Sequence, residues 1–285
     1  MQKFSPFFVL FGLIAGFLDV NVQYIIAVLG IVTVGILHGA NDLQIIKQIF
    51  TENGRNINKN FLLYLGVVLL GGLLFFIVPT IALAFFVGIS AYHFGEQHFE
   101  NRLKVSSRLF FTLYGGLIFS LIFYSHLTET QAVISSITGI QISSQIFLGV
   151  LLCLGIAVLV WMFRLSHIKS FFRESLVLIG LSMVFWNSSL LFSFAFYFCF
   201  FHSFPSLRSQ LNFLFGEISA ASIYTYIRQS FLYWILALGG LAGVYSFIPW
   251  EYSRVLPLFF VFLAAITFPH VVVMGYLFHK SSKAA

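Results

Sequence analysis

Long, continuous hydrophobic runs separated by short polar breaks dominate the chain. Ten runs lie at about residues 4–18, 22–41, 61–78, 80–95, 108–125, 145–163, 172–186, 188–204, 230–248 and 255–278. Runs of this length are typical of helices that cross a membrane, whereas the strands of a membrane β-barrel alternate apolar and polar residues. The pattern therefore predicts an all-α, polytopic transmembrane helix bundle with about ten spans.

Composition supports this fold class and limits what else the chain can contain. Hydrophobic residues make up 60% of the 285 residues, and charged residues only 8%, whereas ordinary globular domains carry about 25% charged residues. Ten spans of about 20 residues each leave no room for a soluble domain. We therefore expect a single membrane-embedded domain over residues 1–285.

The few basic residues predict the orientation of the bundle. With ten spans, 14 of the 15 Lys and Arg residues fall on the side that holds both termini, and only Arg254 falls on the other. Basic loops stay in the cytoplasm. We therefore predict that both termini are cytoplasmic, and that the net charge of +6 reflects membrane topology rather than binding to nucleic acid.

Four of the eight histidines predict a metal site. In the predicted topology they share one leaflet, just inside the cytoplasmic side, on four different spans: His38, His93, His202 and His270. Imidazoles that project from several helices of a bundle can bind iron, zinc, copper or nickel. For any one of them, an alternative is that it is a polar group in helix packing.

Two carboxylates lie close to these histidines in the sequence. Asp42 follows His38 by four residues and Glu96 follows His93 by three, so each pair would share a helix face. Each carboxylate could accept the second ring N–H of its histidine and fix the tautomer. Alternatively, both carboxylates face water at the interface.

The remaining histidines are weaker candidates for the site. We expect three of them at the surface or among interfacial basic residues, and one on the opposite side of the membrane: His98, His167 and His279, and His126, respectively.

The sequence segments around His38, His93, His202 and His270 together resemble the Brp/Blh family of β-carotene 15,15'-dioxygenases. The resemblance rests on H-G-A-x-D at residues 38–42, H-F-G-E at residues 93–96, H-S at residues 202–203 and P-H at residues 269–270. Each element alone is a weak signal, but all four occur in the family order across most of the chain. One position departs from the pattern: the family usually has a second histidine four residues after the H-S histidine, and here Ser206 stands there.

The resemblance implies an enzyme that uses a His-ligated, non-haem Fe(II) and O2 to split β-carotene into two retinals. It also implies a protein of the bacterial inner membrane that takes its substrate from the lipid bilayer and serves a retinal-binding rhodopsin. On this basis His38, His93 and His202 are the firmest iron ligands and His270 is the fourth. If the family's second histidine is an iron ligand, this site either lacks one ligand, or His270 or a water molecule fills the position that Ser206 leaves.

Two alternatives remain at the sequence level, and a third is excluded. A membrane desaturase with a di-iron site would need H-x-x-x-H and H-x-x-H-H clusters, and the chain has none. A transporter could use the intramembrane histidines and Asp42 as a proton or metal path, although these groups all lie in one leaflet. A relative that binds carotenoid without cleaving it is the other remaining alternative, because of Ser206.

Overall fold

Every regular element in the described part of the chain is a helix, which confirms the predicted all-α class. A computed structural model describes residues 5–50, 57–99, 108–165, 168–246 and 252–284. The first seven helices are α1 (Ser5–Gly16), α2 (Val20–Gly30), α3 (Ile36–Gly39), α4 (Asp42–Phe50), α5 (Ile57–Ile77), α6 (Pro79–His98) and α7 (Arg108–Ser125). The other seven are α8 (Leu127–Thr138), α9 (Ser144–Leu165), α10 (Ile168–Trp186), α11 (Leu190–Tyr197), α12 (Phe204–Phe215), α13 (Ala220–Ser246) and α14 (Tyr252–Ala284).

Two helical stretches continue through π-helical turns. Ile31–Gly35 connects α2 to α3, and Phe198–Ser203 connects α11 to α12. A π-helical turn takes an extra residue, so it changes the direction of the side chains around it, and such turns occur frequently at functional sites.

Seven stretches in the described residues are long and apolar enough to cross a membrane. They are Val20–Ile49, Lys59–Ile77, Arg108–Ser125, Ser144–Arg164, Leu190–Phe215, Ala220–Ser246 and Val255–Phe278. All ten predicted hydrophobic runs overlap helices, but α1, α6 and α10 are not among these seven stretches. The membrane class of the prediction therefore holds, whereas the count of ten spans and the orientation of the termini are not confirmed.

The helix boundaries follow from local chemistry. The side chain of Asp19 caps α2 by accepting a hydrogen bond from the backbone N–H of Asn21 at 2.8 Å. Pro79 is the first residue of α6, where its missing N–H costs no helical hydrogen bond. Gly139 and Gly216 follow α8 and α12 with φ of 72° and 77°, a left-handed conformation that ends a helix and favours glycine.

The contacts of the chain divide it into two compact units. The first comprises Met1–Ile31, Ala91–Ser135 and Ile140–Pro205, and the second comprises Val32–Ser90, Ser136–Gly139 and Ser206–Ala285. In the first unit α7 packs against α9, α1 against α10 and α2 against α11. In the second unit α14 packs against α5, α4 and α3, and α13 also contacts α3.

A buried glutamine joins two helical turns in the first unit. The Gln23 amide donates to the backbone carbonyls of Gly16 and Leu18, at 3.0 Å each. Its oxygen accepts from the backbone N–H of Ser189, at 2.7 Å. The amide therefore connects the α1–α2 turn with the start of α11, because buried polar groups need partners within the protein.

Helices α6 and α7 approach each other so closely that their backbones touch at two glycines. A Cβ built on Gly95 would overlap the carbonyl oxygen of Phe111, and a Cβ built on Gly115 would overlap that of Ala91. Small residues at such positions allow helices in a membrane to pack backbone to backbone. The contact lies along the stretch of α6 that carries His93.

We predict that Gly115→Ala destabilises the protein, because the added methyl group must push α6 and α7 apart. Overpacking of this kind costs about 1–3 kcal/mol, so the thermal unfolding midpoint in detergent should fall by several degrees. Gly149→Ala is the matched control, since a Cβ there meets nothing within 4 Å. Equal midpoints for the two variants would contradict the close approach.

Candidate metal centre

All four predicted histidine ligands are buried, and each is at most 5% exposed. His38 lies in α3, directly after the first π-helical turn, and His202 lies inside the second. His93 is on α6, and His270 is on α14 directly after Pro269, a proline inside the helix. Two of the four imidazoles therefore depend on irregular helical geometry for their direction.

His38 and His270 form a pair within the second unit. Their rings pack edge to face, with centroids 4.7 Å apart and planes at 88°. The Nδ1 atom of His38 faces the backbone carbonyl of Gly35, within hydrogen-bonding distance. This bond to a carbonyl three residues earlier fixes the orientation of the His38 ring.

The sequence predicts that Asp42 pairs with His38, and this prediction is wrong, because Asp42 pairs with His270. The Nδ1 atom of His270 lies 2.9 Å and 3.1 Å from the two carboxylate oxygens of Asp42. The hydroxyl of Tyr64 donates to the same carboxylate at 2.8 Å. The helical spacing fails because α3 ends at Gly39 and Asp42 begins α4, so His38 and Asp42 do not share one continuous helix face.

These contacts select one tautomer for both histidines. A ring whose Nδ1–H donates to a carbonyl or a carboxylate keeps its lone pair on Nε2. A carboxylate or carbonyl behind a metal-binding histidine has this effect in metalloproteins, where it also raises ligand basicity. His38 and His270 are therefore both prepared to bind a metal ion through Nε2.

His93 and His202 form the corresponding pair in the first unit. Their ring centroids lie 4.8 Å apart, with planes at 76°. Phe94 stacks on the His202 ring at 4.6 Å, and Phe198 stacks on it at 5.5 Å. The aromatic faces restrict the orientation of His202 and exclude water from around it.

Glu96 lies beside His93, as the sequence predicted, but at a longer distance than a hydrogen bond. Its Oε2 atom is 3.8 Å from Nδ1 of His93. Its other oxygen accepts a hydrogen bond of 2.5 Å from the hydroxyl of Tyr92. Glu96 is therefore held by Tyr92 next to the His93 ring.

Within the second unit, His38 and His270 are two buried histidines that could take part in holding a metal ion. Each offers one ring nitrogen, and imidazole nitrogen is a good ligand for first-row transition metals.

His98 is buried, so the prediction that it lies at the surface is wrong. Its Nε2 atom is 2.5 Å from the Glu174 carboxylate, and the Tyr114 hydroxyl donates to the same carboxylate at 3.1 Å. The hydroxyl of Tyr197 lies 3.4 Å from Nδ1 of His98. Glu174 is an isolated acid in an apolar run, which was the available signal for a buried partner.

Among the described residues, His126 takes no part in the two histidine pairs. His126 lies between α7 and α8, and its Nε2 atom is 2.8 Å from the hydroxyl oxygen of Ser193. Burial lowers the pKa of His126 to about 4, so it is neutral at physiological pH. His167 and the side chain of His279 lie outside the described residues.

Comparison with known proteins identifies relatives over most of the chain. A family described as Beta-carotene 15,15'-dioxygenase matches residues 29–278. A Beta-carotene 15,15'-dioxygenase from the uncultured marine bacterium 66A03 is 26% identical over 264 residues, which cover 88% of this chain and 93% of the relative. No solved structure matches the chain.

We predict that Asp42→Asn weakens metal binding, because a neutral amide oxygen is a weaker acceptor than a carboxylate and the amide NH2 cannot accept from His270 Nδ1. Weakening the acceptor behind a metal ligand costs about 10–100-fold in affinity. Titration of the purified protein with Co(II), followed by visible absorption, measures the change. Asp19→Asn is the control, since asparagine is an equally good helix cap; equal affinities for the two variants would contradict the role of Asp42.

Proposed function

Because the chain belongs to the beta-carotene 15,15'-dioxygenase family, we propose that it cleaves β-carotene with O2 at the central 15,15' double bond. The products would be two molecules of all-trans-retinal, one from each half of the symmetric polyene. The observation that carries this proposal is the match over residues 29–278, which includes all four histidine motifs.

We propose that His38, His93, His202 and His270 together bind one non-haem Fe(II). The donor set fits this ion, since imidazole suits iron and neutral ligands can be buried in an apolar bundle at lower cost than several carboxylates. When bound, the iron supplies the centre at which O2 is activated. The proposal is supported by the burial of all four rings and by their close pairing within each unit.

The protein's own residues would hold the ligands and keep the site dry. Asp42 and the Gly35 carbonyl orient His270 and His38, and Phe94 and Phe198 cover His202. A hydrocarbon substrate offers no polar group to bind, so its recognition requires apolar and aromatic surface rather than charge. The 19% aromatic content of the chain agrees with such a substrate.

We further propose a single membrane domain over residues 1–285, with ten spans and both termini in the cytoplasm of a bacterial cell. β-Carotene dissolves in the bilayer, so the enzyme would take it from the lipid of the inner membrane. The retinal produced is apolar except for its aldehyde and could pass through the same lipid to a rhodopsin.

The test of this function is expression in bacterial cells engineered to make β-carotene. We expect the orange pigment to fall and retinal to appear in extracts, measured by chromatography against cells with an empty vector. Unchanged carotene in cells that contain iron-loaded protein would overturn the proposal. Carotenoid that remains bound to the purified protein would then support the non-catalytic alternative.

The ligand assignment predicts that alanine at any of the four histidines abolishes iron retention and retinal formation. The reason is that a buried site with few ligands cannot replace a lost imidazole. Iron content of the purified variants and retinal formed in the cells are the two measurements. His126→Ala is the control and should keep its iron; any one of the four variants that keeps both iron and full activity would exclude that histidine.

Ser206 tests whether the site is one ligand short. It is fully buried, and its hydroxyl oxygen accepts a hydrogen bond of 3.1 Å from the Gln210 amide. If His270 is the fourth ligand, Ser206→His adds bulk without a needed ligand, and iron content and retinal formation should not rise. A gain in either would show that the site lacks a histidine at this position.

A further inference from the structure

The regular α-helix that carries His38 is interrupted on both sides of this residue. The π-helical turn Ile31–Gly35 precedes it, and a break at residues 40–41 separates α3 from α4. At the break the backbone N–H groups of Gln44 and Ile45 both bond to the carbonyl of Asn41. Interruptions of this kind leave backbone carbonyls outside the regular helical pattern, and in a membrane protein they need other donors.

Gln210 supplies such a donor to His38 itself. Its Nε2 atom donates to the backbone carbonyl of His38 at 2.9 Å and to the Ser206 hydroxyl oxygen at 3.1 Å. Gln210 and Ser206 are fully buried. The amide therefore connects α12 to the backbone of a proposed iron ligand.

Tyr226 fixes the direction of the Gln210 amide. Its hydroxyl lies 2.7 Å from Oε1 of Gln210 and 3.3 Å from the carbonyl oxygen of His38. Because a hydroxyl has one proton, the shorter contact is the main bond, and it makes the amide oxygen the acceptor and the amide nitrogen the donor toward His38. The backbone carbonyl of Tyr226 in turn accepts from the Asn41 side chain at 3.2 Å.

The π-helical turn before His38 also contacts α13, the helix that carries Tyr226. The indole N–H of Trp234, on α13, donates to the carbonyl of Val32 at 2.6 Å. Elsewhere α13 is mostly exposed, and its buried residues are Ser222, Tyr226 and Ser230. Its polar side chains at positions 226 and 234 thus contact the segment that presents His38.

We propose that Gln210 and Tyr226 are positioning residues that hold the His38 imidazole where it binds the metal. They act through the His38 carbonyl, and Ser206 supports Gln210 from the position where the family motif usually has a second histidine. A metal ligand must be held to within about 0.5 Å to bind productively. This inference rests on the proposed iron site, but the contacts themselves lie entirely within the second unit.

The main test compares Tyr226→Phe with Tyr224→Phe. Both variants lose one hydroxyl from α13, but Tyr224 is exposed, and phenylalanine at position 226 keeps the backbone carbonyl that accepts from Asn41. With Co(II) as probe, Tyr226→Phe should bind about 10-fold more weakly and change the visible absorption bands. The kcat should fall while KM for β-carotene stays within about twofold. Spectra and affinity equal to those of Tyr224→Phe would overturn the proposal.

A second measurement needs no metal. Hydrogen–deuterium exchange of the metal-free protein should be faster in the peptide covering residues 38–45 in Tyr226→Phe than in Tyr224→Phe, with unchanged exchange in α9. Equal exchange would overturn the proposal even if the wild-type protein bound no Co(II). Absence of Co(II) binding and of retinal formation in the wild type would instead contradict the proposed function.

The double variant decides whether Tyr226 acts through Gln210. Gln210→Met keeps the size of the side chain and removes both polar groups. If Tyr226 works mainly by orienting the amide, the double variant should lose less Co(II) affinity than the product of the two single losses. Losses that multiply would contradict this order of action, and an unaltered Co(II) spectrum in Gln210→Met would overturn the role of Gln210.

Discussion

The absence of water in the membrane interior is the constraint on which this structure depends. A regular helix satisfies its own backbone, but a π-helical turn or a break alters the pattern of backbone bonds, and the carbonyls there require donors inside the protein. The segment around His38 meets this requirement with the side chains of Trp234 and Gln210. The irregular backbone that directs this imidazole and the polar side chains that stabilise it are therefore parts of one arrangement.

The burial of the four histidines could be predicted from the sequence, because all four lie in apolar runs just inside the predicted membrane. Their partners could not be predicted equally well. The pairing of Asp42 with His38 assumed one continuous helix, but α3 ends before Asp42, and the carboxylate instead meets a histidine 228 residues later in the chain. The residues around His98 predict a surface position, but its partner Glu174 lies 76 residues away in the chain. Long-range pairs of this kind leave no trace in local spacing.

In the fold, too, the features set by local sequence could be predicted, whereas those set by distant residues could not. Hydrophobic runs predicted the helices, since length and apolarity are local properties. The number of spans is harder, because α1 has only 12 residues and because charge counting assumes that every run crosses the membrane. The Gly95 and Gly115 contacts with α7 and α6 depend on which helices are neighbours, and this information is absent from either helix alone.

The Gln23 amide has a consequence for the order in which the chain is assembled. Its two donor hydrogens reach carbonyls within seven residues, so they can be satisfied as soon as the first two helices form. Its oxygen accepts from the Ser189 N–H, which lies 166 residues later in the chain. The bond between Gln23 and Ser189 can therefore form only after residue 189 has been made. The contact that joins the α1–α2 turn to α11 is thus completed late in synthesis.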